Sequence, residues 1–173
     1  MQRTIPVVGL AGFSGSGKTT FLEKLIVELK NRGYRVGIVK HTHHEVDFDR
    51  PGTDSWRHAK AGADVVALAT PAGVSLVKKC DSDPAPEEVI AMIDGVDLVV
   101  VEGYKRGKWA KIEVFRQGVA ERPTVSPEEL IAVVSDAPLS AAAPCFGLDD
   151  AAGVAGLIEE VILKTPRPGV SER

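Results

Sequence analysis

Short apolar runs alternate with amphipathic segments along this chain, which is typical of strands separated by helices. Residues 5–11 form an apolar run rich in β-branched side chains, suited to a strand buried on both faces. Within residues 19–30 the apolar positions recur at helical spacing, and Gly33 is placed to end that helix. Residues 34–40 predict a second strand. This strand–helix–strand order indicates the first unit of a parallel sheet.

The rest of the chain extends the same pattern. Two β-rich runs, residues 64–70 and 73–79, are joined by a Pro- and Gly-containing turn and predict an antiparallel hairpin. Either Thr53 or Asp54 can cap a short helix over residues 55–61. The other predicted elements are a helix beginning at Pro86, strands over residues 97–103, 111–116 and 130–134, and a last helix capped by Asp149 and ending at Lys164.

Residues 12–19 read Gly-Phe-Ser-Gly-Ser-Gly-Lys-Thr, lie between the first strand and the first helix, and fit the pattern G-x-x-x-x-G-K-[ST]. Gly12 and Gly17 can adopt positive φ, so that bare backbone approaches an anion. Consecutive N–H groups and the start of the helix then surround the phosphates. In this motif Lys18 reaches the β- and γ-phosphates, and the Thr19 hydroxyl joins a Mg²⁺ shell. The sequence therefore predicts a nucleoside triphosphate site on a three-layer α/β P-loop NTPase fold, with a mostly parallel central sheet and an inserted antiparallel β-hairpin.

A carboxylate for the Mg²⁺ side of such a site is expected at the end of a neighbouring strand. Four apolar residues precede Glu102, so a buried parallel strand would deliver this acid to the carboxyl edge of the sheet. Asp49 belongs to an Asp-Arg-Pro-Gly stretch after the second strand, where it either initiates a turn or supplies a second acid. The candidate catalytic residues are thus Lys18, Asp49 and Glu102, and the candidate metal ligands are Thr19, Asp49 and Glu102.

Three histidines, His41, His43 and His44, follow the second strand, at the edge where ligands bind in parallel sheets. Imidazoles at this spacing could hold zinc, copper or nickel, although no cysteine is close in sequence to complete a tetrahedral site. They could equally contact substrate or phosphate, or belong to a plain polar loop. The sequence leaves all three interpretations open.

Two further polar stretches could contact a ligand. Asp136 follows Ser135 at the end of a predicted strand, where its carboxylate could accept from the N1–H and N2 amine of guanine. The usual guanine signal, Asn-Lys-x-Asp, is absent from the sequence. The basic loop that contains Lys105, Arg106 and Lys108 could bind an anion or a partner protein, or could simply be solvated.

Composition narrows the class of protein. A chain of 173 residues with 44% hydrophobic and 26% charged residues fits one globular domain, expected over residues 1–164, followed by a flexible tail over residues 165–173. A net charge of -3 gives no electrostatic case for nucleic-acid binding. No membrane span or signal peptide is visible, and Cys80 and Cys145 lack a C-x-x-C spacing, so a cytoplasmic protein is expected.

These residues resemble the family of the molybdopterin-guanine dinucleotide biosynthesis protein B, MobB. The resemblance is carried, in the right order and spacing, by residues 12–20, residues 39–44, residues 49–58 with 61–63, and residues 100–105. These blocks cover roughly residues 5–116, and the last third matches only in general character. Several ordered blocks are far more specific than the glycine-rich motif alone.

The resemblance implies a GTP-binding protein of the metallochaperone-like GTPase class, with weak GTPase activity, bound Mg²⁺ and a homodimeric assembly. The implied role is late molybdenum-cofactor synthesis, in which the protein assists the nucleotidyltransferase that joins GMP to molybdopterin, and molybdopterin itself is a further candidate ligand. Carried over by position, Asp49 and Glu102 form the acidic pair on the metal side. Together with the reasoning above, the residues expected to contact the nucleotide are Gly12, Ser14, Gly15, Ser16, Gly17, Lys18, Thr19, Thr20, His41, His43, His44 and Asp136.

Other functions fit the same scaffold. A small-molecule kinase would share the phosphate-binding motif, although the sequence has no arginine-dense segment typical of a kinase lid. A nickel-type metallochaperone GTPase would use the three histidines, and a purely binding adaptor would need no hydrolysis. The sequence has no obvious water-positioning glutamine, which fits slow turnover.

Overall fold

The computed structural model describes residues 5–44, 46–104, 106–141 and 143–164. Strands and helices alternate along this part of the chain, and a π-helical segment follows the last α-helix. In chain order the elements are β1 Val7–Ala11, α1 Lys18–Asn31, β2 Val36–Lys40, α2 Asp54–Lys60, β3 Val65–Thr70, β4 Gly73–Lys78, α3 Pro86–Ile90, β5 Leu98–Glu102, β6 Lys111–Phe115, β7 Leu130–Ser135, β8 Cys145–Gly147, α4 Ala151–Ile158 and the π-helical segment Glu159–Leu163.

A parallel sheet organises most of the chain. Its strands lie in the order β2-β5-β1-β6-β7-β8, and every neighbouring pair is parallel. The strands β3 and β4 pair separately as an antiparallel hairpin. Every residue of β5 and β6 is buried, as expected for strands covered by helices on both faces. The predicted α/β fold, with a mostly parallel sheet and an added hairpin, is therefore confirmed.

The chain divides into two compact units. The first contains the described residues up to His41 and from Pro86 onward, and therefore the whole parallel sheet. The second is Thr42–Ala85, which contains α2 and the β3–β4 hairpin. The single domain expected over residues 1–164 stays a prediction, and the expected tail over residues 165–173 lies outside the described residues.

Side chains of the interior strand β5 point alternately to the two faces of the sheet. Leu98 and Val100 belong to the core that includes the apolar sides of α1 and α4. Val99 and Val101 belong to a second core, against which residues of α3 pack. The sheet is therefore the middle of three layers, with α1 and α4 on one face and α3 on the other. The two apolar cores fix the strands between these helices.

The start of the last helix differs from the sequence prediction. Asp150 caps α4, since its carboxylate accepts a hydrogen bond from the Gly153 N–H at 2.8 Å. The predicted cap, Asp149, instead pairs with Lys24, with 2.6 Å between Nζ and Oδ1. The hydrogen bond and charge of Lys24 lower the pKa of Asp149 below its usual value. Neighbouring aspartates both suit a cap, and a tertiary contact with α1 decides between them.

Other elements agree with the sequence prediction to different degrees. The cap of α2 is Thr53, whose hydroxyl accepts from the Trp56 N–H at 3.3 Å, as one of the two sequence alternatives predicted. The strand β8 was not predicted, because three residues are too few to show a hydrophobic period. The last helix reaches the predicted end only by changing to π-helical bonding after Ile158. Among the described helices, none combines the length and apolar character needed to cross a membrane.

A buried carboxylate on β6 fastens the long connection between β6 and β7. Glu113 is only 1% exposed. Its two oxygens accept hydrogen bonds from the Thr124 N–H, the Thr124 hydroxyl and the Val125 N–H, at 2.8 to 2.9 Å. Ionised acceptors of this kind form strong hydrogen bonds, and each donor would be costly to leave unpaired.

We expect Glu113→Ala to lower the free energy of unfolding by about 3 kcal/mol, because it leaves several donors without their acceptor. Urea denaturation followed by circular dichroism measures this change. The control is Glu121→Ala, since Glu121 lies in the same connection and is exposed. Equal stability of the two variants would show that the buried carboxylate does not hold the connection.

Candidate functional site

The glycine-rich loop, residues 12–17, joins the carboxyl end of β1 to the start of α1. Gly12 has φ of +135°, and a β-carbon there would lie 2.3 Å from the Val114 carbonyl oxygen. No side chain fits in that space, because the loop passes directly over the end of the neighbouring strand β6. Glycine is therefore required at the first position of the motif for steric reasons.

The start of α1 offers backbone donors to an incoming group. Its N-cap is Gly17, in the left-handed region, and no side chain caps the helix there. The Phe21 N–H makes the first hydrogen bond of the helix, to the Gly17 carbonyl at 2.9 Å, so the amides of Thr19 and Thr20 precede the bonded ladder. The first turn also contains no acidic residue, which leaves the positive end of the helix dipole uncompensated by an acid there.

The polar side chains of the loop divide into exposed and buried groups. Ser14, Thr19 and Thr20 are exposed, whereas Ser16 is only 1% exposed. The Ser16 hydroxyl has no hydrogen-bond partner among the described residues. The Lys18 ammonium donates to the carbonyls of Gly12 at 3.0 Å and Phe13 at 2.7 Å, so its charge lies over the loop.

Glu102 lies where the sequence predicted it, at the carboxyl end of the buried strand β5. It is aligned with Leu10 of β1 on one side and with Lys40 of β2 on the other. Its side chain is almost wholly buried, and its Oε1 lies 3.0 Å from the Lys40 ammonium. The sheet therefore presents an oriented carboxylate next to the strand that leads into the glycine-rich loop.

The three histidines are distributed over both units. His41 belongs to the first unit, where its ring stacks on Tyr104 with centroids 4.0 Å apart. His43 and His44 belong to the second unit, and His43 Nδ1 lies 3.9 Å from Asp83 Oδ2. A metal-binding role for these residues stays a prediction.

Asp49 has the contacts of a turn-initiating residue. Its Oδ1 accepts a hydrogen bond from the Arg50 N–H at 2.7 Å. A hydrogen bond from the Ser55 side chain, followed by those from Arg50 and Thr53, lowers the pKa of Asp49. Asp49 also lines a cavity of about 270 Å³ in the second unit, together with residues of α2 and the hairpin. The turn interpretation thus describes its local structure, and its role as a metal ligand stays a prediction.

Asp136 follows β7 at the carboxyl edge of the sheet. Its Oδ1 accepts from the Gln117 N–H at 2.9 Å, and its Oδ2 lies 3.8 Å from Arg116 Nε. Arg116 was predicted only as the end of a strand, because its neighbours depend on the order of strands in the sheet. In the structure it lies beside the glycine-rich loop, with Nη2 3.8 Å from the position of a β-carbon on Gly17. The guanine contact predicted for Asp136 stays a prediction.

The donor set fits a polyphosphate with Mg²⁺. The uncapped start of α1 and the buried Ser16 hydroxyl, which has no hydrogen-bond partner among the described residues, both suit an anion. Lys18 adds a cation, while the Thr19 hydroxyl and the Glu102 carboxylate offer the hard oxygen ligands that Mg²⁺ prefers.

The parallel sheet with this loop between its central strand and the following helix defines a P-loop NTPase fold. The chain belongs to the MobB family, since the family model for "Molybdopterin guanine dinucleotide synthesis protein B" matches residues 7–136. The family indicated by the sequence is therefore confirmed.

Similar proteins cover most of the chain. The molybdopterin-guanine dinucleotide biosynthesis adapter protein of Escherichia coli (strain K12) is 39% identical over 166 residues, covering 92% of this chain and 95% of that protein. The adapter protein of Haemophilus influenzae is 38% identical over 141 residues, covering 80% and 79%. The crystal structure of Bacillus subtilis MobB is similar with a TM-score of 0.71 and 26% identity, covering 90% of this chain and 98% of that one. The structure of a MobB homolog from Bacillus stearothermophilus gives a TM-score of 0.64 at 26% identity, covering 89% and 95%.

The contact between Gly12 and the Val114 carbonyl predicts that alanine destabilises the protein more at Gly12 than at Gly15. We expect Gly12→Ala to destabilise the fold by more than about 2 kcal/mol, because the added methyl would meet backbone. Gly15→Ala is the matched control, since Gly15 also has positive φ, +79°, but a β-carbon there would meet nothing within 4 Å. It should cost about 1–2 kcal/mol. Thermal and urea unfolding of both variants measure the difference, and equal losses would contradict the close approach.

Proposed function

We propose that this chain is a GTP-binding adapter protein in the synthesis of molybdopterin guanine dinucleotide. In this proposal it hydrolyses GTP slowly and assists a nucleotidyltransferase that joins GMP to molybdopterin. The observation that carries the proposal is the pairing of β1 with β5, which aligns Leu10 with Glu102 and so brings an acid beside the glycine-rich loop. The adapter proteins of Escherichia coli and Haemophilus influenzae, similar over most of their length, support the assignment of the pathway.

The residues near the loop have distinct roles in this proposal. The amides at the start of α1 and the Lys18 ammonium bind the phosphates. Thr19 and Glu102 hold Mg²⁺, which when bound neutralises charge on the phosphate oxygens. Lys40, at 3.0 Å, orients the Glu102 carboxylate. Asp49 and the three histidines are further candidates for the metal and phosphate contacts, and a guanine contact of Asp136 stays a hypothesis.

An exposed apolar face on the hairpin supports the proposed homodimer. In the β3–β4 register, Val65, Val74 and Leu76 project to the same side, and they are 48%, 73% and 54% exposed. Exposed apolar residues on adjacent strands are typical of a surface that contacts another protein. A second copy of this chain would cover this face.

The kinase and nickel-chaperone alternatives stay hypotheses.

Replacing the loop lysine tests nucleotide binding. We expect Lys18→Ala to weaken GTP binding in the presence of Mg²⁺ by about a hundredfold, because charged hydrogen bonds to phosphate are lost. Isothermal titration calorimetry measures the affinity. The matched control is Lys30→Ala, an exposed lysine in the last turn of the same helix, which should bind GTP like the parent protein. Unchanged affinity in Lys18→Ala would remove the proposed site.

Replacing an apolar residue of the hairpin tests the dimer. We expect Val74→Lys to shift the protein from dimer to monomer in light scattering coupled to size-exclusion chromatography, because a charge would be buried in the interface. Val27→Lys is the control, since Val27 is 60% exposed on α1 and lies outside the hairpin. A parent protein that is monomeric at all concentrations, or a dimer indifferent to Val74→Lys, would contradict this contact.

A further inference from the structure

Arg116 lies next to the phosphate-binding loop because of the strand order. It directly follows β6, and β6 pairs with β1, with Ala11 aligned to Glu113. The chain just past β6 therefore runs alongside the loop that leaves β1. The close approach of Gly12 to the Val114 carbonyl shows how tightly these two segments pack.

The guanidinium of Arg116 lies at the rim of the loop. Its Nη2 is 3.8 Å from the position of a β-carbon on Gly17, the residue that begins α1. The Arg116 side chain is 44% exposed, so an incoming ligand can reach it. A guanidinium at this place adds positive charge at the end of the helix where an anion is already favoured.

Asp136 holds this arginine from the side of the sheet. Its Oδ2 lies 3.8 Å from Arg116 Nε, while its Oδ1 accepts from the N–H of the next residue, Gln117, at 2.9 Å. One carboxylate therefore contacts both the side chain and the backbone of the turn after β6. The Nε edge of the guanidinium faces Asp136, and Nη2 is the atom that faces Gly17.

We propose that Arg116 is a second phosphate-binding cation of this site, supplied by the same chain, and that Asp136 is the positioning residue that keeps it beside the loop. The proposal rests on the nucleotide binding proposed above. A guanidinium can donate two parallel hydrogen bonds to a phosphate, which suits Arg116 to this position.

If Arg116 and Asp136 served only to stabilise the fold, replacing them would change the melting temperature. Both side chains are more than a third exposed, and their charged atoms are 3.8 Å apart. Ion pairs of this kind contribute little to stability. Loss of Arg116 should therefore leave the melting temperature close to that of the parent protein, so that a change in affinity can be attributed to the lost contact.

The test compares Arg116→Ala with Arg122→Ala, a control in the connection after β6 whose arginine is exposed. Calorimetry with Mg²⁺ measures binding of GTP and of inosine triphosphate, which has the same phosphates but lacks the guanine N2 amine. We expect Arg116→Ala to weaken both nucleotides about tenfold, to reduce the dependence of affinity on salt, and to be partly rescued in Arg116→Lys.

Asp136→Asn tests the positioning role. It should weaken both nucleotides by a smaller factor, and it should have no further effect in the Arg116→Ala background, because the two residues act through one contact. A loss for GTP but not for inosine triphosphate would overturn the positioning role and assign Asp136 to the base.

The outcomes separate this proposal from the function on which it rests. If Lys18→Ala weakens GTP binding as expected while Arg116→Ala binds like Arg122→Ala, the arginine proposal is overturned and the nucleotide site stands. If the parent protein does not bind GTP, or if Lys18→Ala binds it normally, both proposals are overturned.

Discussion

The pairing of β1 with β5 on one side and β6 on the other places the glycine-rich loop, Glu102 and Arg116 at one edge of the sheet. In parallel pairing the backbone hydrogen bonds fix the register, so the carboxyl ends of the three strands meet at one edge. The glycine-rich loop, Glu102 and Arg116 each come from one of these ends. A slip of one residue would exchange the two faces of a strand and bury the wrong side chains, so the two apolar cores oppose it. The two apolar cores thus fix the positions of the glycine-rich loop, Glu102 and Arg116, although these polar groups contribute little to the cores.

Buried polar groups extend this fixed geometry into the neighbouring connections. Lys111, at the start of β6, donates to the Gly107 carbonyl at 2.7 Å and pairs with Glu129 at 2.6 Å. Glu113, two residues on, accepts from Thr124 and Val125. Burial of such charges is costly, and their hydrogen bonds offset that cost. As a result the connections on both sides of β6 are tied to the strand that carries Arg116 at its end, which suits a site that must be formed before its ligand arrives.

The parts of the site that follow from local sequence were predictable, and those that follow from strand order were not. The spacing of apolar residues gave β1, α1 and β5, and the glycine pattern gave the loop, because each is encoded in a few consecutive residues. The cap of α4 was assigned to Asp149 instead of Asp150, because the pairing of Asp149 with Lys24 joins residues far apart in the chain. Arg116 was missed for the same reason. Its proximity to Gly17 requires β6 to lie beside β1, and no local pattern determines which strands are neighbours.

In the proposed site, Lys18 and Arg116 differ in the contacts that they would give up when an anion binds. The Lys18 ammonium already donates to two loop carbonyls, at 3.0 and 2.7 Å, and it must exchange those hydrogen bonds for bonds to phosphate. Only the difference in free energy between the bonds to phosphate and the bonds to the two carbonyls contributes to affinity. Arg116 Nε lies 3.8 Å from Asp136 Oδ2, and Nη2 is its atom nearest to the β-carbon position of Gly17. In the proposed site Lys18 would therefore contribute only the net gain of that exchange, whereas Arg116 lies 3.8 Å from Asp136, beyond hydrogen-bond distance, and would give up less there.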